Sequence, residues 1–303
     1  MHTIKHMTAV TLATLALSGQ ALAGAIATGQ AHMSVNITDA AGYSWNLNLS
    51  PFSSIDAATG DVSLDLSTVN SPISDASGQW SKGSTQVYDS DTDSYISVEA
   101  ISWHSWAMAN GNTGTGASNP DTPWRASMTF AAIGNLDPEM SYGLFAKNNT
   151  NSTQNYTLSY GESIVPTIDG AYTLHADISG SVTNPAGTGS VNVSQVPGFN
   201  KLQAVRLSND GGLTFVNGGV DVGNAYASAA VGSQPYGSDS ADAGGIGQYN
   251  YWDFQTQFQL SAKDTAVLTG YAEITAVPEP ASWVLPAVAL AAFGLKRRAK
   301  RQA

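Results

Sequence analysis

The feature that most constrains this chain is alternation. In the stretch WDFQTQFQL, Trp252, Phe254, Phe258 and Leu260 share one side with Thr256, while Asp253, Gln255, Gln257 and Gln259 share the other. Successive side chains point to opposite faces only in a strand, so a period of two predicts strands with one face buried and one wet. The same period runs through Tyr43, Trp45, Leu47 and Leu49, through Val62, Leu64 and Leu66, through Tyr156, Leu158 and Tyr160, and through Tyr172, Leu174, Ala176 and Ile178. No helical period of comparable length interrupts them between Gly24 and Ala276. After WDFQTQFQL come SAKDT and AVLTGYAEI, in which Ala266, Leu268, Ala272 and Ile274 share a face, so the pair is expected to form a closing β-hairpin.

Many short strands separated by Gly, Asn, Asp and Pro predict an all-β fold, a single jelly-roll-like β-sandwich over residues 24–276. Two stretches break the rhythm and are expected to be long Gly/Ser-rich loops: ANGNTGTGASNPDTP from Ala109 to Pro123, and the Gly-, Ser- and Ala-rich stretch from Asn217 to Asn250.

Charge is segregated. The whole chain carries −11, but Lys5 and the cluster Lys296, Arg297, Arg298, Lys300 and Arg301 lie at the two ends, which leaves six basic residues against twenty-two acids in the body. Phosphate contacts need Lys and Arg, so nucleic acid is excluded as a partner. The absence of Cys excludes disulfides, thiolate metal sites and Cys nucleophiles.

The two ends read as addresses. Lys5, an apolar run from Thr8 to Leu17 and the small-residue site Ala21-Leu22-Ala23 form a signal peptide over residues 1–23, cleaved before Gly24 by the export machinery. At the other end, residues 277–303 carry Val277, Pro278, Glu279, Pro280 and Trp283, then an apolar run from Ala281 to Leu295, then the basic cluster. The run is expected to be a short hydrophobic transmembrane helix with its cationic end cytoplasmic.

This C-terminal segment resembles a PEP-CTERM sorting signal. The resemblance covers about the last 27 residues and departs from the pattern at Pro286, inside the apolar run, and at Gln302-Ala303, beyond the basic cluster. It implies processing by an exosortase-type membrane protease near Pro278-Glu279-Pro280. It also implies transient residence in the inner membrane of a Gram-negative bacterium, then delivery to the cell surface or an extracellular biofilm matrix. Pro favours extended backbone in the residue before it, which suits a segment held outside the bilayer.

For the body three functional classes stand side by side. The first is a non-enzymatic structural or adhesive protein associated with extracellular polysaccharide. The second is a calcium-dependent carbohydrate-binding module. Asp89, Asp91 and Asp93 in YDSDTDSYISVE offer oxygens at spacing two, but Ser94 and Ala100 occupy the positions where an EF-hand needs Gly and Glu, and a solvated acidic turn explains the stretch as well. Trp103, His104, Trp106 and Trp124, with the Gln row at 255, 257 and 259, could form a sugar-binding face, or the Trp residues could fill the core and the Gln residues coat a wet strand. The third class, a secreted polysaccharide hydrolase or lyase, lacks motif support: no G-x-S-x-G elbow, H-E-x-x-H or phosphate loop is present, and no catalytic residue is assigned.

Overall fold

The structure is a computed structural model that describes residues 31–40, 43–56, 60–70, 72–74, 78–90, 92–105, 124–135, 138–185 and 189–277. It is all-β and antiparallel, and the one helical turn among the described residues is a short 3-10 turn, Ser50–Phe52. The signal peptide, residues 1–23, and residues 278–303 lie outside the described residues, within which no helix is long and apolar enough to cross a membrane.

Two long strands organise everything else. β10 (Gln154–Asn184) and β15 (Gly232–Leu260) pair antiparallel from Gln154↔Leu260 to Asn184↔Gly232. Their register slips between Ser163 and Ile168, around Pro166, which has no N–H to give a ladder. The slip divides the network into two arms.

On one arm the first half of β10 pairs with β1 (His32–Asp39), which pairs with β2 (Ser44–Asn48). On its other side the second half of β15 pairs with β12 (Gln203–Ser208), which pairs with β13 (Val216–Val222). The end of β15 also meets β11 (Val191–Ser194), itself paired with β14 (Tyr226–Ser228).

On the other arm the second half of β10 pairs with β16 (Thr265–Ala276), followed in order by β9 (Glu139–Asn148), β8 (Ala126–Asn135), β7 (Ser94–Ser105), β6 (Gly78–Asp89) and β5 (Ile73–Ser74). β3 (Ser53–Ile55) and β4 (Asp61–Leu64) form a small hairpin attached to β8.

The alternating apolar residues explain the core. Trp45, Leu47, Tyr156, Leu158, Tyr160, Leu174, Ile178, Trp252, Phe254, Phe258 and Leu268 are buried in one cluster that runs from Ala31 to Ile274. Each large apolar side chain removed from water in this way contributes about 1.5–3 kcal/mol. Residues of the two arms meet across that core. Tyr142 of β9 lies edge-on to Phe254 of β15 at 5.5 Å, and Trp45 of β2 lies edge-on to Trp103 of β7 at 6.1 Å. The Tyr142 hydroxyl donates to Gln203 Oε1 and accepts from Thr256 Oγ1, both at 2.8 Å, so this polar link between the arms is satisfied.

The hairpin of β6 and β7 lies over the outer face of the second arm. Val87 and Ala100 bury against Ala131 of β8. The hairpin end reaches β10 and β16, where Tyr95 hydrogen-bonds Ser179 at 2.8 Å and the Tyr88 ring meets the Tyr271 ring at 5.0 Å.

Two expectations are overturned. β15 and β16 do not form a hairpin with each other, because β10 lies between them and the connection from Leu260 to Thr265 passes from one arm to the other. The stretch from Asn217 to Asn250 is not a loop: most of β13, all of β14 and the first two-thirds of β15 lie within it. Its Gly, Ser and Ala residues add little apolar area, but β10 supplies a full ladder of backbone partners. The whole of the other Gly/Ser-rich stretch, 109–123, lies outside the described residues.

Candidate functional site

The strand alternation that buries one face of the first arm sets the composition of its other face. Registers place Ser44, Thr38, Asn155 and Gln259 in one cross-strand row. Asn46, Asn36, Thr157 and Gln257 form the next, and Asn48, Ser34, Ser159 and Gln255 the third. Twelve positions on four strands are therefore all Ser, Thr, Asn or Gln, with no charge and no aromatic ring. Neighbouring strands are about 4.8 Å apart and alternate residues of one strand about 6.8 Å apart, so the rows form a regular polar grid.

Most of these groups have hydrogen-bonding capacity left over. Gln259 Nε2 donates to Asn155 Oδ1 at 2.9 Å, and Asn48 Oδ1 accepts from the Ser50 N–H at 3.1 Å. Ser34 Oγ lies 3.2 Å from His32 Nε2. The side chains of the middle row make no hydrogen bond to another described residue. Gln257 is 6% exposed as a whole residue, and its amide, unbonded to any described residue, is not among the buried atoms left without a partner, so it keeps contact with solvent. Amides and hydroxyls both donate and accept, the same capacity that sugar hydroxyls offer.

At one margin of the grid Arg206 donates to Asp253 through two nitrogens, with Nε 2.8 Å from Oδ1. Burial raises the Asp253 pKa, and the Arg206 guanidinium opposes that rise by holding the carboxylate charged. The pair closes the face with no free cation there.

The sequence-predicted residues fall as follows. Trp103 is fully buried, so it belongs to the core rather than to a sugar platform. Trp124 is half-buried and stacks on His104 of β7 at 5.5 Å. Burial lowers the His104 pKa. Gln255 and Gln259 are half-buried on the polar face, as the alternation implies. Asp89 accepts from Thr92 Oγ1 at 2.8 Å and Asp93 accepts from the Tyr88 hydroxyl at 2.7 Å, while Asp91 lies outside the described residues. That hydrogen bond pushes the Tyr88 hydroxyl up to about 12. Among the described residues no group of three His, Cys, Asp or Glu side chains is placed to hold a metal ion.

Val277 is 41% exposed, and its N–H donates to Ala171 O at 2.9 Å. The remaining sorting residues and the signal-cleavage residues, Ala21, Ala23 and Gly24, lie outside the described residues.

Sequence reasoning missed the partners of the Gln row. Asn36, Asn46 and Thr157 alternate with apolar residues in their own strands, a signal visible in NITD, WNLN and YTLS. Only the register brings the three strands side by side.

No family model matches the chain, and no curated protein matches it. Among solved structures, one from work on the structural basis for the promiscuous specificity of carbohydrate-binding modules of the β-sandwich superfamily is similar at 9% identity. The match covers 81% of this chain and 84% of that one, with a TM-score of 0.20. An overlap of that size says nothing about this chain's ligand.

Proposed function

We propose that this is an exported, non-catalytic cell-surface or matrix protein that adheres to extracellular polysaccharide through the polar face of its first arm. We read the two arms as the layers of a jelly-roll-like sandwich. The observation that carries the adhesive reading is the middle row, Asn46, Asn36, Thr157 and Gln257, whose side chains make no hydrogen bond to another described residue. A hydrogen bond from each such group to a sugar hydroxyl contributes about 0.5–1.5 kcal/mol net. The resemblance of residues 277–303 to a PEP-CTERM signal and the signal peptide over residues 1–23 support export and exosortase-type sorting.

Affinity electrophoresis of the full chain through gels carrying the producing cells' own polymer tests the adhesive part. Retarded migration is expected, with Gln257→Ala restoring free migration. Calcium plays no part in this reading, so EDTA is expected to leave the retardation unchanged. A chain that runs freely in every polymer overturns the reading. Sorting is tested separately by the intact mass of the protein recovered outside cells, expected to lack residues 1–23 and those beyond about Pro280. A full-length C-terminus in the medium contradicts it.

A further inference from the structure

We infer that the polar face selects neutral polysaccharide and rejects anionic polymers, with the polymer chain lying across the strands along Asn46, Asn36, Thr157 and Gln257; this rests on the adhesive reading above.

Direction follows from hydrogen-bond availability. The middle row is continuous through the registers Asn46↔Asn36, Asn36↔Thr157 and Thr157↔Gln257. Its four side chains make no bond among the described residues. Both flanking rows hold groups already engaged, at Asn155 with Gln259 and at Ser34 and Asn48. A pyranose ring is about as long as the strand spacing of about 4.8 Å, so an extended chain crossing the strands meets one polar side chain per sugar.

Selectivity follows from charge. An anionic polymer needs cations to offset its own desolvation and the field of an acidic protein. The grid itself has none. Of the six basic residues in the body, Arg206, Arg125, Lys201 and Lys82 are paired with Asp253, Asp39, Asp239 and Glu99. Lys263 donates to the Asn149 carbonyl at 2.6 Å. Only Lys147, exposed on β9 of the second arm, is left unengaged among the described residues, so twenty-two acids in the body repel a polyanion with little compensation and none at the grid.

The experiment is affinity electrophoresis of the full chain against two polymers, a neutral linear glucan and a polyuronate. It is run at ~0.05 M and ~0.5 M salt, which shortens the screening length severalfold. Retardation by the glucan, unchanged by salt, and none by the polyuronate at either salt is expected. The double variant Asn36→Ala/Thr157→Ala is expected to weaken glucan binding about tenfold, the loss for two hydrogen bonds. The flanking-row variant Thr38→Ala/Asn155→Ala is expected to change it less than about twofold. Melting curves of both variants check that the fold is kept.

Tighter binding to the polyuronate overturns the selectivity and leaves the face as a site. Equal losses from the two double variants overturn the direction. Binding to neither polymer overturns the adhesive reading itself.

Discussion

At the residue scale, Glu162 is a buried carboxyl without a cationic partner among the described residues. It is fully buried in β10; its Oε2 accepts from the Tyr160 hydroxyl at 3.2 Å, while the Trp252 Nε1 beside it makes no hydrogen bond of good geometry and Oε1 is left unsatisfied. Burial pushes its pKa well above the ordinary carboxyl range, and the Tyr160 hydroxyl and the neighbouring Trp252 indole N–H only partly oppose this. A carboxyl kept protonated in the fold but free to ionise when unfolded contributes stability that is complete below its unfolded pKa. That contribution is lost as pH rises toward the folded value. Glu162→Gln keeps the shape and removes the ionisation. It is expected to match the parent near pH 4 and to exceed it near neutral pH by about 1–3 kcal/mol in urea unfolding. Equal stability at both pH values would show that Glu162 is charged and solvated.

Residue identities were the most legible level. The alternation told which of Trp252, Phe254, Phe258 and Leu260 turn inward, and all four do. It did not tell that Glu162 turns inward, since that residue continues the apolar face of Tyr156, Leu158 and Tyr160 and breaks it only in chemistry. Nor did it tell that Gln257 is nearly covered; that depends on the segment around Leu202, whose carbonyl accepts the Gln257 N–H.

At the element scale, the hairpin of β6 and β7 depends on glycine beneath it. A Cβ at Gly143 of β9 would stand 2.0 Å from the Gln86 carbonyl oxygen, a backbone atom that a side-chain rotation cannot clear. Gly143→Ala is therefore expected to lower stability by about 1–3 kcal/mol, the usual cost of overpacking, and to open the hairpin to proteases. A Gly143→Ala protein with the parent's melting temperature and digestion pattern would mean that the hairpin does not lie there. Alternation named faces and stayed silent about neighbours. That is why β15 and β16 looked like a hairpin when β10 separates them, and why the Gly-rich half of β15 looked like a loop. A strand made of Ser, Gly and Ala has too little hydrophobic contrast to show its period.

At the scale of the whole molecule, charge distribution is the property that experiment reaches most directly. The sequence pI is about 4.6 with both ends attached. Removing the signal peptide and the basic tail takes away Lys5 and five further cations against at most one acid, Glu279. The exported form is expected to focus below pH 4.6, and a secreted species focusing at or above that value would mean that the tail is retained. Composition made this segregation legible at once. The uncharged grid within an acidic body was not legible, because its strands come from three stretches of chain far apart in sequence, β1 with β2, β10 and β15.

The position of Val277 also bears on how the molecule carries load. β16 ends one residue before it, at Ala276, laddered along its whole length by β10 on one flank and from Thr265 to Glu273 by β9 on the other. Tension applied through the residues that follow would run along the strand, so both ladders must shear together rather than peel open rung by rung. A protein gripping a polymer with one arm while tethered through β16 would hold against flow better than its modest number of charged contacts suggests.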